Sequence, residues 1–315
     1  MSLIRRSLGA LASGRLTTLI YHRVRDRPDP LFPDEVDAAR FAEQMQLLVE
    51  HFTPLPVSEA IDRLNAGTLP RAAVCITFDD GYADNCTVAT PILRRLGLSA
   101  AFFIATGFVD GGSMWNDLII EAIRNARFSR ISLGEGEILE LDGCAAKRSA
   151  IEQLIRRAKY LSPDARMDLV DRVCKATIAE SPAGLMLSGE QIRVMRDAGM
   201  EFGGHTCRHP ILASLTAKAS QDEISIGKSQ LEAFLGASVT LFAYPNGKPR
   251  VDYSAEHVLA AKAAGFRAAF TTAPGFAHQD SDLMQLPRFT PWDRDERRFA
   301  LRLSANYLRQ QQATA

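Results

Sequence analysis

The chain has 315 residues, with 37 Lys+Arg against 37 Asp+Glu and a formal net charge of +0 at pH 7. That balance leaves no electrostatic footprint for nucleic acid or for an anionic membrane surface, and it suits a neutral substrate. A hydrophobic content of 46% is enough for a sizeable core, and we read 1–315 as a single α/β domain.

In chain order, the basic opening Met1-Ser2-Leu3-Ile4-Arg5-Arg6 is followed by an apolar stretch too short and broken for a secretion signal. No run reaches the roughly 18 apolar residues of a membrane span. Five cysteines without regular spacing argue against a disulfide framework and for a reducing compartment. The setting expected is therefore cytoplasmic, with peripheral membrane association as the alternative. Residues 16–21 read as the first strand, ending at His22. Phe41, Met45, Leu48, Val49 and Phe52 then fall on one helical face, closed by His51, which reads as structural. The apolar run 72–76 is a buried strand, a helix ends at Gly97, and 100–105 is another buried strand. Ser188 with Gln191 three positions later reads as a capping box for a helix stopping at Gly199. Residues 200–204, 239–243, 268–271 and the region around Leu286 supply later strands.

This alternation argues for a parallel sheet wrapped by helices. It breaks at about 111–187, where Ile151, Leu154, Ile155 and Ala158 make one helical stripe and Met167, Val170 and Cys174 another. That segment reads as a helical insertion at the rim of a barrel, shaping substrate access or simply packing. Trp115, on the loop entering it, either stacks on a sugar ring or anchors the insertion.

Two motifs carry chemistry. Thr77-Phe78-Asp79-Asp80-Gly81 delivers adjacent carboxylates to the end of one strand, and His205-Thr206-Cys207-Arg208-His209 presents two imidazoles four positions apart after another. One carboxylate with two imidazoles leaves metal positions open for water and substrate, and the second carboxylate is free to act as a base. Gly203-Gly204 permits close chain approach there, and Pro210 argues against a helix running on. Cys207 reads as a bystander beside the metal rather than a ligand.

Together, and with Gly199 and Gly203 spaced before His205, these motifs resemble those of the polysaccharide deacetylases, the NodB-homology group forming carbohydrate esterase family four. The resemblance covers roughly residues 16–110 and 188–290. It implies a distorted parallel (β/α) barrel and hydrolysis of acetyl groups from an N-acetylated glycan. It also implies Asp79 as general base and a divalent metal on Asp80, His205 and His209. Zinc suits that mixed donor set, and Co²⁺, Ni²⁺ and Fe²⁺ fit it too. An O-acetyl esterase, another amidase, or a degenerate glycan-binding protein are the alternatives on the same fold.

The chain departs from the family pattern at two places. Phe242-Ala243-Tyr244-Pro245-Asn246-Gly247 has Ala243 where an arginine orients the base and Asn246 where a tyrosine is usual. Tyr244 and the Asn246 backbone N–H remain as candidates for substrate and oxyanion contacts. This element, with the opening Leu19-Ile20-Tyr21-His22, is similar to the branch acting on poly-N-acetylglucosamine-type exopolysaccharides. Leu286-Pro287-Arg288 stands where a histidine normally supplies the acid. We expect Arg288 to replace the missing arginine by pairing with Asp79 and His22 to replace the missing acid; a surface ion pair and a packed histidine are their bland counterparts. His257 reads as a surface helix residue and His278 as a loop residue.

Overall fold

The computed structural model describes residues 12–134, 136–178, 183–309 and 314–315. The basic opening and most of the glutamine-rich tail lie outside them, and with them what the sequence suggested for those segments.

The chain runs through β1 (Leu16–Tyr21), α1 (Ala38–His51), β2 (Thr53–Pro54), α2 (Val57–Asn65) and β3 (Ala73–Phe78). A π-helical turn, Asn85–Ala89, leads into α3 (Thr90–Arg95), and β4 (Ala101–Ile104) follows. The insertion supplies α4 (Trp115–Asn125), β5 (Arg130–Gly134), β6 (Glu137–Glu140), α5 (Gly143–Lys159) and α6 (Pro163–Thr177). Then come α7 (Gly189–Asp197), β7 (Glu201–Gly204), α8 (Ala217–Leu235), β8 (Leu241–Ala243), α9 (Ala255–Ala263), β9 (Ala268–Phe270) and α10 (Glu296–Asn306). The expected cap at Ser188 is present: its side chain accepts from the Gln191 amide, and the Gln191 side chain accepts from the Ser188 N–H.

The main sheet has the order β1-β3-β4-β7-β8-β9, with β2 also on β3, and all its pairings are parallel. Its strands are buried on both faces, so they read as near-continuous apolar runs. Alternation decides which residue goes where. Val74, Ile76 and Phe78 join the larger cluster beneath the helices, while Ala73 and Cys75 join a second cluster inside the curl, with Phe103 and Phe270.

The curl is closed by residues 286–289. Leu286 bridges β9 through Thr271 N–H to its carbonyl (2.9 Å) and its own N–H to Ala269 (2.8 Å). Phe289 bridges β1, its N–H donating to Thr18 (2.7 Å) and its carbonyl accepting from Ile20 (3.0 Å). This segment is a stave of single bridges and not the regular strand expected around Leu286, because Pro287 has no N–H to extend the ladder. The architecture is a distorted parallel (β/α) barrel, as expected.

Three local readings need correction. Val49 is 41% exposed and Met167 42%, each one step off the buried stripe of its helix. The insertion also carries an antiparallel hairpin, β5–β6, whose inward positions Ile131, Leu133 and Leu139 are too few to stand out as strands. Among the described residues the insertion has its own apolar cluster, in which Ile119 and Ile123 of α4 meet Leu154 of α5 and Leu169 of α6.

Candidate active site

The inward parity of β3 runs Ala73, Cys75, Thr77, and so sends Asp79 into the barrel. Its N–H is held by the Tyr21 carbonyl at 2.9 Å, and the residue is 2% exposed. Parity alone would turn Asp80 away. A left-handed backbone at Asp80 (φ 79°) and Gly81 (φ 90°) instead swings the second carboxylate to the same side. Non-glycine residues rarely adopt that conformation, and such strain persists where the surroundings enforce it.

His205 continues the inward parity of β7 beyond Gly203. Its Nδ1 lies 2.7 Å from the Ala243 carbonyl, which fixes the ring and leaves Nε2 facing Asp80. Thr206 (φ 66°) and His209 (φ 54°) are also left-handed. The His209 N–H donates to Thr206 Oγ1 at 3.0 Å, and the amides of Cys207 and Arg208 donate to Glu223 Oε2 at 3.0 and 2.7 Å. Gly227 of α8 packs directly beneath this loop; a Cβ there would sit 2.6 Å from the Thr206 carbonyl carbon.

The result is a triangle. Asp80 Oδ1 is 3.5 Å from His205 Nε2 and 3.4 Å from His209 Nε2, and one ligand atom from each residue lies within 4.8 Å of the others. Asp80 Oδ1 is buried and has no hydrogen-bond partner, a costly state for a carboxylate oxygen. An orphaned anionic oxygen facing two imidazole nitrogens is the donor set of a divalent cation, so the residues fit a metal. Burial lowers the His209 pKa to about 4, so its imidazole is neutral and available as a ligand at neutral pH. Burial would raise the Asp80 carboxyl, but the facing histidines outweigh it and hold it well below the usual range.

Asp79 stands beside the triangle with a different partner. Arg288 Nη1 and Nη2 donate to its two oxygens at 2.7 Å each, Nε donates to the Thr271 carbonyl at 2.8 Å, and Nη1 reaches Thr77 Oγ1 at 3.3 Å. Arg288 is 1% exposed. Burial pushes Asp79 up, yet the guanidinium and His205 outweigh it, so the carboxyl titrates below its ordinary value.

The other sequence candidates separate. His22 sits exposed at the end of β1, with its carbonyl accepting from Asn85 Nδ2 at 2.9 Å, and its charge helps to lower both Asp79 and Asp80. Asn246 (φ 57°) lines a cleft of ≈200 Å³ with Asp80, His209 and Trp115, and its N–H has no acceptor among the described residues. Trp115 both faces that cleft and packs on the insertion's cluster, with the Arg166 guanidinium 5.0 Å over its ring. Tyr244 is a correction: it is fully buried, stacked on Tyr253 at 4.0 Å, with its hydroxyl donating to the Met284 carbonyl at 3.0 Å, and so cannot meet substrate. Strand parity explains it, since Ala243 faces inward and Tyr244 therefore outward. His257 is also corrected: it is 1% exposed, and its Nδ1 accepts from the Ser254 N–H that opens α9. Cys207 stands outside the triangle, with Sγ 3.5 Å from Gln230 Oε1.

Sequence reasoning passed over three residues at this site. Asp117 is buried with the Tyr82 hydroxyl at 3.1 and 3.2 Å from its oxygens; burial first, and then the charge of Asp80, push its carboxyl up to about 7. In sequence it is merely an acid in the first turn of a helix, where any acid is favourable. Lys159 and Arg166 line the cleft from the insertion, which no motif signals.

A curled parallel sheet with an Asp/His/His triangle and an arginine-clamped second carboxylate at its strand ends is the frame of a carbohydrate esterase. Residues 66–269 match the polysaccharide deacetylase family model, and the chain belongs to that family. The Bacillus subtilis (strain 168) protein YxkH, whose own assignment as a polysaccharide deacetylase is provisional, is 22% identical over 276 residues, 87% of this chain and 70% of YxkH. Among solved structures, IcaB from Ammonifex degensii superposes with a TM-score of 0.62 at 19% identity, covering 93% of this chain and 98% of IcaB. The Streptococcus pyogenes deacetylase PplD, determined with acetate, gives 0.60 at 20% identity, covering 88% and 92%. At such identities the superpositions establish the shared fold.

Proposed function

We propose that the chain is a metal-dependent hydrolase that removes acetyl groups from N-acetylated amino sugars of a glycan. The observation that carries this reading is the separation of two buried carboxylates: Asp80 faces two imidazoles, and Asp79 is clamped by Arg288 outside that set. Asp80, His205 and His209 would hold the cation, with zinc favoured by the nitrogen and oxygen donors. A bound divalent cation supplies Lewis acidity toward the acetyl carbonyl and water.

The chain's own residues do the rest. Asp79, kept ionised and in one rotamer by Arg288, takes a proton from water as its oxygen bonds to the acetyl carbon. The Asn246 N–H donates to the oxygen on which charge develops. Collapse breaks the carbon–nitrogen bond, the leaving amine takes a proton from His22, and acetate and a free amino sugar result. The exposed position of His22 at the end of a barrel strand, within electrostatic reach of Asp79 and Asp80, supports that role. Trp115 faces the cleft lined by Asp80, His209 and Asn246 and offers a ring for sugar stacking.

The test is acetate release from N-acetylglucosamine oligomers with and without a chelator. We expect release that chelation abolishes and zinc restores. Release from O-acetylated but not N-acetylated oligomers would move the assignment to an esterase. Absence of release from either, with metal bound, would leave a glycan-binding protein.

A further inference from the structure

The cleft beside the metal triangle is walled on one side by the insertion, and that wall is cationic. Lys159, the last residue of α5, and Arg166, in the second turn of α6, line the same ≈200 Å³ space as Asp80 and His209. Arg166 spends part of its donor set on structure: Nε donates to the Ala158 carbonyl (3.0 Å) and Nη2 to Lys159 (3.2 Å) and Leu161 (3.1 Å). These contacts staple the C-terminal turn of α5 to α6 and hold Lys159 at the cleft. Neither cation has a carboxylate partner among the described residues, unlike Arg124, which pairs with Asp29, and Arg157, which pairs with Glu137.

The acids nearby are already committed. Asp79 is neutralised by Arg288, Asp117 is bound to the Tyr82 hydroxyl, and Asp80 faces the two histidines. A half-buried lysine and a guanidinium with free Nη1 hydrogens, in a concave site whose one lining carboxylate, Asp80, faces the two histidines, form a receptor for an oxyanion. The overall charge of the chain hides this, because a net charge of +0 says nothing about a local excess.

We propose that Lys159 and Arg166 make the cleft selective for a glycan bearing an anionic oxyacid group, a carboxylate or a phosphate, on the sugar next to the one that enters the metal site. This rests on the deacetylase reading and narrows its substrate class, from a neutral glycan to an acidic one. Lys159 and Arg166 act here as specificity determinants and take no part in the chemical step.

Equilibrium binding tests the inference without relying on turnover. The probes are a neutral N-acetylglucosamine hexamer, a hexamer alternating N-acetylglucosamine with glucuronate, and an N-acetylglucosamine oligomer joined by phosphodiesters. Calorimetry on the full chain at low salt should give at least about tenfold tighter binding of an acidic probe than of the neutral one, the scale of one charged hydrogen bond. The preference should shrink as salt is raised. Whether carboxylate or phosphodiester gains more identifies the oxyacid. Lys159→Gln should bring the acidic-to-neutral ratio close to one, Lys159→Glu should invert it, and Lys159→Arg should keep it. Arg166→Lys is a secondary variant, since loss of the staple itself disturbs the wall. Equal affinities for all three probes, or a preference that Lys159→Gln and Lys159→Glu leave intact, would overturn the inference. Acetate release from none of the probes, with the binding preference present, would count against the deacetylase reading alone.

Discussion

Replacing Arg288 with methionine removes the partner that keeps Asp79 charged inside the barrel. The arginine makes two 2.7 Å bonds to Asp79 and one of 2.8 Å to Thr271, with both charged side chains at 3% exposure or less. Removing one member of a buried pair leaves an uncompensated charge and costs about 3–5 kcal/mol. The sign of the pH dependence follows from the lowered Asp79 carboxyl. In the wild type its ionisation stabilises the fold above the unfolded-state carboxylate range of about 4. That contribution is lost as pH falls through the lower folded value. In Arg288→Met the burial effect is opposed only by the neighbouring histidines, so the Asp79 pKa rises from its wild-type position. Stability at neutral pH should fall by those few kcal/mol, and the acidic limb of kcat/KM should move up by at least about one pH unit. Urea unfolding at pH 7 and a pH–rate profile on N-acetylglucosamine oligomers measure both. The double variant Asp79→Asn/Arg288→Met should be more stable than the sum of the single losses implies. Wild-type stability together with an unmoved acidic limb would refute the reasoning.

Other variants divide the site. His205→Ala and His209→Ala should each lose stoichiometric zinc in metal analysis, since a site with two protein ligands is poor; full occupancy in either would remove that residue from the set. Asp79→Asn should retain zinc while acetate release falls by about 10²–10⁴-fold, the usual worth of a positioned base, and near-normal turnover would assign the base elsewhere. His22→Gln should lower kcat with little change in KM, and an unchanged kcat would remove His22 from the acid's role. Tyr244→Phe should cost about 1 kcal/mol in urea unfolding through its lost bond to Met284 while kinetic constants stay near wild type; a large fall in kcat would restore Tyr244 to the site.

Much of the site was legible because the rules that place it are local. The apolar run before Asp79 and the period-2 alternation fix which residues point inward, and Asp79, His205 and Ala243 all follow that parity. Arg288 was reachable from sequence by noticing what Ala243 lacks, but its delivery depends on residues 286–289 closing the sheet between β9 and β1. Asp80 was the harder case. Its carboxylate turns inward only through a left-handed backbone, which aspartate tolerates better than most residues but which strand parity does not signal. Tyr244 was misread because the motif suggested a substrate contact while strand parity, available from the same residues, sends it outward. The cationic wall was illegible for another reason. Lys159 and Arg166 look like ordinary charges at helix ends, and only the fold of the insertion brings them beside His209.

X-ray absorption at the zinc edge of the reconstituted protein tests the central claim most directly. The account predicts two imidazole nitrogens and carboxylate or water oxygens at about 2.0–2.2 Å, with no sulfur. A shell at about 2.3 Å from Cys207, or a spectrum without imidazole, would contradict the Asp80/His205/His209 centre.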